Sequence, residues 1–274
     1  MQRRTFISLI LTALMGLPLA GGAIAQDKFI VLASTTSTEA SGLFEYLLPM
    51  FQKKTGVEVR VVAVGSGEAL ELGRNGDADA LLVHHPEGEQ EYMQAGYGID
   101  RRDLMYNDFI IVGPKSDPAG IEGMKDALVA YKSIAESESP FASRGDDSGT
   151  HAKELLMWEA AGIEPEGEWY RELGTGMGET LNTAAGMDAY TMTDRGTWAN
   201  FGNRQNLVVL VEGDPELYNP YSTILVNPRR HPHIKIDLAR RWHQWLTSEE
   251  GQQAIADYEI GGQQLFFPTY EGGE

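Results

Sequence analysis

Residues 29–51 read FIVLASTTSTEASGLFEYLLPMF, and this stretch decides the fold. An apolar run from Phe29 to Ala33 ends in the hydroxyl cluster Ser34, Thr35, Thr36, Ser37 and Thr38. A helical pattern follows, with Leu43, Phe44, Leu47, Leu48 and Phe51 on one buried face. Thr36 followed by Glu39 has the spacing of a capping box. The same unit recurs three times. Val57 to Val64 alternates like a strand, reaches Gly65, Ser66 and Gly67, and enters a helix from about Glu68 to Leu72. Phe141, Ala142 and Ser143 lead through Arg144, Gly145, Asp146, Asp147, Ser148, Gly149 and Thr150 into a helical run from His151 to Trp158. Gly174, Thr175, Gly176, Met177 and Gly178 open a helix around Glu179 to Ala185.

Short strands feeding helices at this spacing predict an α/β architecture with mainly parallel sheets, whose ligands sit beyond the carboxyl ends of the strands. Each helix start offers unpaired backbone N–H groups and a partial positive charge, and these loops add hydroxyl donors. One such loop is ordinary capping and turn chemistry. Four of them, joined by Arg144 just ahead of Asp146, Ser148 and Thr150, point to anion capture. Asp146 is the natural local partner for a buried Arg144.

Charge sharpens the requirement. There are 40 acidic and 22 basic residues in 274. This excludes generic nucleic-acid binding. Long-range repulsion of anions demands a locally donor-rich, shielded site. The absence of cysteine excludes disulfide frameworks, thiolate metal sites, a cysteine nucleophile and a lipid-modified cysteine. Residues 1–25 read as an export signal: Arg3 and Arg4, an apolar stretch from Phe6 to Leu14, and the small-residue pattern Ala23, Ile24, Ala25, with cleavage expected after Ala25. Arg3 and Arg4 also suit a twin-arginine signal. Pro18, Gly21 and Gly22 interrupt the run that a membrane anchor needs. Without this segment, 20 basic and 40 acidic residues remain.

The pattern Arg144-x-Asp146-x-Ser148-Gly149-Thr150 resembles the anion-binding segment of periplasmic phosphate-binding proteins. The chain as a whole resembles more closely the tungstate-binding proteins of ABC importers, through residues 32–38, 64–70, 73–84, 105–114 and 143–151. Ser34 and Ser66 stand where that family usually has threonine, and both keep the hydroxyl. The resemblance implies a two-lobed class II periplasmic binding fold, with two crossings between lobes and a tetrahedral oxyanion, tungstate first, held in the cleft. Residues 105–114 and 221–228 suit the crossings, dividing the chain into lobe one (26–107 and 227–274) and lobe two (108–226). Carried over position by position, the ligand set is Thr35, Thr36, Ser37, Ser66, Arg144, Ser148, Gly149 and Thr150. The resemblance further implies a periplasmic, monomeric receptor that delivers its anion to a membrane permease, with no cofactor, no metal and no catalysis.

Other readings were weighed on the residues themselves. Phosphate, which carries a proton at neutral pH, is favoured by a carboxylate acceptor such as Asp146 or Asp79; tungstate, molybdate and sulfate want donors only. If Asp146 is held by Arg144 and Asp79 faces away, a fully deprotonated dianion fits better. A metal-assisted hydrolase would draw on His84, His85, Asp147 and His151, or on Ser148 with His151. Neighbouring histidines on a strand point to opposite faces, and no Gly-x-Ser-x-Gly surrounds Ser148. His231 and His233 flank Pro232 in an expected exposed loop. Leu238, Trp242, Trp245 and Leu246 share one helical face, which reads as core packing.

Overall fold

The computed structural model describes residues 28–269; the export-signal reading of residues 1–25 lies outside them. β1 (Phe29–Thr35) delivers the hydroxyl cluster to α1 (Thr36–Ala40), and α2 (Leu43–Thr55) follows. Gly42 between them adopts a left-handed conformation (φ 81°), so the one expected helix is two, set in different directions. The cap of α1 is Thr35, whose Oγ1 accepts the Thr38 N–H at 3.2 Å, and not Thr36 as the capping-box spacing suggested. That shift of one residue frees the Thr36 side chain for another partner.

β2 (Glu58–Val64) and α3 (Ser66–Asn75) repeat the unit, followed by β3 (Ala80–Val83) and α4 (Pro86–Gln94). β4 (Gly98–Pro114) then leads into α5 (Ala127–Glu136), β5 (Phe141–Ser143), α6 (Gly149–Ala160), β6 (Tyr170–Glu172), α7 (Met177–Met187), β7 (Thr191–Asp194), α8 (Arg195–Asn200) and β8 (Leu207–Val211). The chain returns through β9 (Tyr218–Val226) to α9 (Ile236–Leu246), α10 (Glu249–Ala256) and three two-residue strands, β10 (Glu259–Ile260), β11 (Gln263–Gln264) and β12 (Phe267–Pro268).

Pairing is mixed. β1 lies parallel between β2 and β3, as the strand-loop-helix units require. The strands that carry the chain between lobes pair the other way: β9 is antiparallel to β3 and to the first half of β4, while β7 and β8 are antiparallel to its second half. Expected parallel pairing is found among β1–β3, between β5 and β6, and in a bridge from Phe141 to Tyr190 ahead of β7. β4 is long enough, at 17 residues, to serve both lobes.

The apolar interior divides accordingly. One group of clusters packs β1–β3, α2, α3 and α9 and draws on residues 30–105 and 221–266. The other is built from residues 109–217. Tyr221, Ile224, Leu225 and Val226 belong to the first group, so the return crossing falls in the first residues of β9 instead of at 226/227. The α9 aromatic face is core, with the rings of Trp242 and Trp245 at 5.6 Å from each other and both against Phe51. The imidazoles of His231 and His233 cap the end of α3, meeting the carbonyls of Arg74 and Gly76.

Candidate anion-binding site

Arg144 follows β5 directly and is 1% exposed. Its Nη2 donates to Asp146 Oδ2 at 2.5 Å and to Thr36 Oγ1 at 3.0 Å, which ties the two lobes together. Its Nε and Nη1 are buried and have no partner among the described residues. Burial pulls the guanidinium below its ordinary pKa, and the charges of Asp146, Asp194 and Glu179 pull it back. A buried cation with two unspent donors is costly unless an anion meets them.

Helix starts gather around this cation because glycines permit close backbone approach. A Cβ on Gly65 would lie 2.9 Å from the Asp146 carbonyl, and the Gly67 N–H donates to the Asp147 carbonyl at 3.2 Å. A Cβ on Gly149 would lie 2.3 Å from the His84 carbonyl, and one on Gly176 would lie 3.4 Å from Thr36 Oγ1. The beginnings of α3, α6 and α7 thus face one region, and α3 and α7 start at glycines that supply no side-chain cap. Ser148 caps α6 by accepting the His151 N–H at 3.1 Å, which leaves its own hydroxyl proton to give. Ser66 Oγ and Thr150 Oγ1 are buried without a partner among the described residues.

The ligand residues expected from the sequence therefore fall into two sets. Thr36 is bonded to Arg144, Ser66 and Thr150 keep buried hydroxyls without a partner among the described residues, Ser148 keeps its hydroxyl proton, and Gly149 brings the start of α6 against the His84 carbonyl. Thr35 and Ser37 are fully buried and turned into the protein: Thr35 Oγ1 lies 3.1 Å from Ser37 Oγ and 2.7 Å from Thr38 Oγ1, and Ser37 Oγ lies 3.1 Å from His84 Nε2. The sequence reading missed what stands behind them. His84 Nδ1 meets Asn219 Oδ1 at 3.0 Å, Asn219 donates to Asn107 at 2.7 Å, and Asn107 donates to Asp194 at 3.4 Å. Burial drives the His84 pKa down to about 3, and burial raises that of Asp194 against the bonds it accepts from Thr197. Only the spacing of Asp194 and Thr197, that of a helix cap, was readable locally.

Ser148 and His151 of the hydrolase reading are engaged with the backbone of their own turn. Among the described residues no group of three or more His, Asp or Glu could hold a metal ion. His151 Nδ1 accepts the Asp147 N–H, and Ser148 meets the His151 backbone, so the pair has no nucleophile-base geometry. Asp79 sits at the far end of β3, accepting the N–H groups of Val31 at 2.8 Å and Lys235 at 2.6 Å.

Known proteins share this fold and much of this sequence. A family model described as a PBP superfamily domain matches residues 20–250. The tungstate-binding protein TupA of Peptoclostridium acidaminophilum is 48% identical over 244 residues, 88% of this chain and 85% of that protein. A crystal structure described as the tungstate ABC transporter from Geobacter sulfurreducens shares 48% identity with a TM-score of 0.79, covering 84% of this chain and 99% of that one. The tungstate-binding protein TupA from Desulfovibrio alaskensis G20 shares 45% identity with a TM-score of 0.73, covering 89% and 99%.

Proposed function

Because the chain belongs to the tungstate-binding proteins of the PBP superfamily, we propose that it captures tungstate between its lobes and hands it to the permease of an ABC importer. The observation that carries this reading is the buried Arg144, whose Nε and Nη1 are unspent, beside the unspent hydroxyls of Ser66 and Thr150. Thr36 and Ser148 complete the donor set, and Gly149 lets α6 reach the opposite lobe. Thr35 and Ser37 shape the loop that presents Thr36.

Proton chemistry favours a fully deprotonated dianion. Asp146 is held by Arg144, Asp79 lies at the other end of its strand, and Asp194 accepts the Thr197 N–H at 2.8 Å and meets the Thr197 hydroxyl at 2.6 Å. Each of these carboxylates is already engaged by donors of the protein, which favours a ligand that brings no proton of its own. Donors from both lobes converge only in the closed form, which gives the ligand its differential affinity for closure. As a receptor of this family, the chain performs no catalysis and needs no cofactor. It works as a periplasmic monomer after export on residues 1–25, a role supported by the family and by the pattern of that segment.

The test is a thermal-shift and calorimetric titration of the ligand-stripped protein with tungstate, molybdate, sulfate and phosphate. At about 100 times the dissociation constant, the bound anion adds roughly 2.7 kcal/mol, a midpoint rise of several degrees. Stabilisation by tungstate at micromolar or lower concentration supports the reading. Stabilisation by phosphate alone moves the chain to another anion, and none by any of the four overturns it.

A further inference from the structure

Behind the site runs a chain of side-chain hydrogen bonds that spans both lobes and both inter-lobe strands, and its polarity is fixed from one end. Asp194 Oδ1 accepts the backbone N–H of Thr197 at 2.8 Å, so this oxygen is an acceptor. Asn107, on β4, must then present its NH2 group to it, at 3.4 Å, which leaves its oxygen for Asn219 on β9. Asn219 accordingly donates through Nδ2 to Asn107 Oδ1 at 2.7 Å and turns its own oxygen to His84. An oxygen facing Nδ1 at 3.0 Å requires a proton on Nδ1. The neutral ring then has a bare Nε2, and the only proton available to fill the 3.1 Å gap to Ser37 is that of the Ser37 hydroxyl.

We infer that His84 is a positioning residue of the oxyanion site: held as the Nδ1–H tautomer by Asn219, it draws the Ser37 proton inward, so Ser37 gives no hydroxyl donor to the anion. This inference rests on the anion-binding reading above for its consequence, though not for its geometry. It separates hydroxyls that the sequence treats alike. Ser66 and Thr150 have protons to give, whereas that of Ser37 is spent behind the loop. It also rigidifies the site without charge, because His84 stays neutral and stacks on Tyr221 with ring centres 4.7 Å apart.

Two measurements test it. In protein labelled with 15N-histidine, long-range proton-nitrogen spectra at pH 7 report the tautomer, with His84 identified by the signals lost in His84→Gln. The expected result is a protonated Nδ1 and a bare Nε2, with and without tungstate; a protonated Nε2 or an imidazolium overturns the inference. In calorimetry, Ser37→Ala is expected to keep tungstate affinity within about threefold, whereas Ser66→Ala and Thr150→Ala each weaken it by about tenfold or more, the loss of one charge-assisted donor. A loss in Ser37→Ala equal to that in Ser66→Ala overturns the inference. If the wild-type protein binds no oxyanion, the proposed function fails, and the spectra alone decide the tautomer.

Discussion

Arg144 shows how one side chain is made to depend on a ligand. A guanidinium has five N–H donors, and here one nitrogen serves Asp146 and Thr36 while the other two face no acceptor among the described residues. Charge-assisted bonds to a dianion in a buried site are the strong kind, and the planar fork sets their directions. Arg144→Ala is expected to weaken tungstate binding by a factor of about 100 or more, since it removes two such bonds and the countercharge. The fold is expected to persist because Asp146 keeps access to solvent and each core lies elsewhere. Calorimetry gives the affinity and far-ultraviolet circular dichroism the fold; near-normal binding by a folded Arg144→Ala removes Arg144 from the site. Arg144→Lys keeps the charge without the fork and is expected to fall between the two.

At the scale of elements, the helix starts do two jobs, and Gly149 separates them. As the first residue of α6 it lies against the His84 carbonyl so closely that an added Cβ at 2.3 Å would force backbone atoms apart. Gly149→Ala is therefore expected to hold the lobes open, lowering tungstate affinity about tenfold or more, the cost of a population shift of that size. Small-angle scattering should show no contraction of this variant on adding tungstate, and a normal contraction would refute the role of Gly149 in closure. Gly186, exposed near the end of α7 with open space around it, is the contrast: Gly186→Ala is expected to stabilise the fold by about 0.5–1 kcal/mol through backbone entropy, leaving binding untouched. Elements of this kind were legible in the sequence because helices and strands announce themselves by period, and Ser148 and Arg144 by local pattern. The cap at Thr35 was not, since Thr35 and Thr36 are adjacent hydroxyls and only backbone geometry chooses between them. Nor was the line from Asp194 to His84, whose members stand 87 to 135 residues apart and leave no local periodic trace.

Over the whole molecule, stability follows pH through groups whose pKa values folding shifts, His84, His243 and Glu154 among them. His84 and His243 are buried, and burial is the main cause that lowers their pKa values to about 3 and about 4. Their folded forms resist protonation, so their contribution is complete above the unfolded value near 6.5 and is lost as pH falls toward 4 and 3. Glu154 works in the opposite sense: burial raises its pKa to about 7, against the bonds it accepts from Tyr170 and Trp158. Its contribution is complete below about 4.5 and is lost as pH rises through 7. Each proton of difference between folded and unfolded chains changes stability by about 1.4 kcal/mol per pH unit. Between about 4.5 and 6.5 the two histidines raise stability with pH, opposed by Glu154 and by Asp194, whose pKa burial also raises; from there to about 7 Glu154 continues to lower it. Glu154→Gln removes its own falling component alone. Its midpoint of thermal unfolding, relative to the wild type, is expected to rise from pH 5 to about pH 7 and to level off by pH 8, by several degrees in all for a shift of this order in a chain of this size. The comparison is to be made in ligand-free protein, because a bound dianion would add its own linkage. A difference between the two midpoints that stays constant over this range would show that Glu154 titrates as an ordinary carboxyl, and that its buried contacts with Tyr170 and Trp158 hold it ionised at no cost.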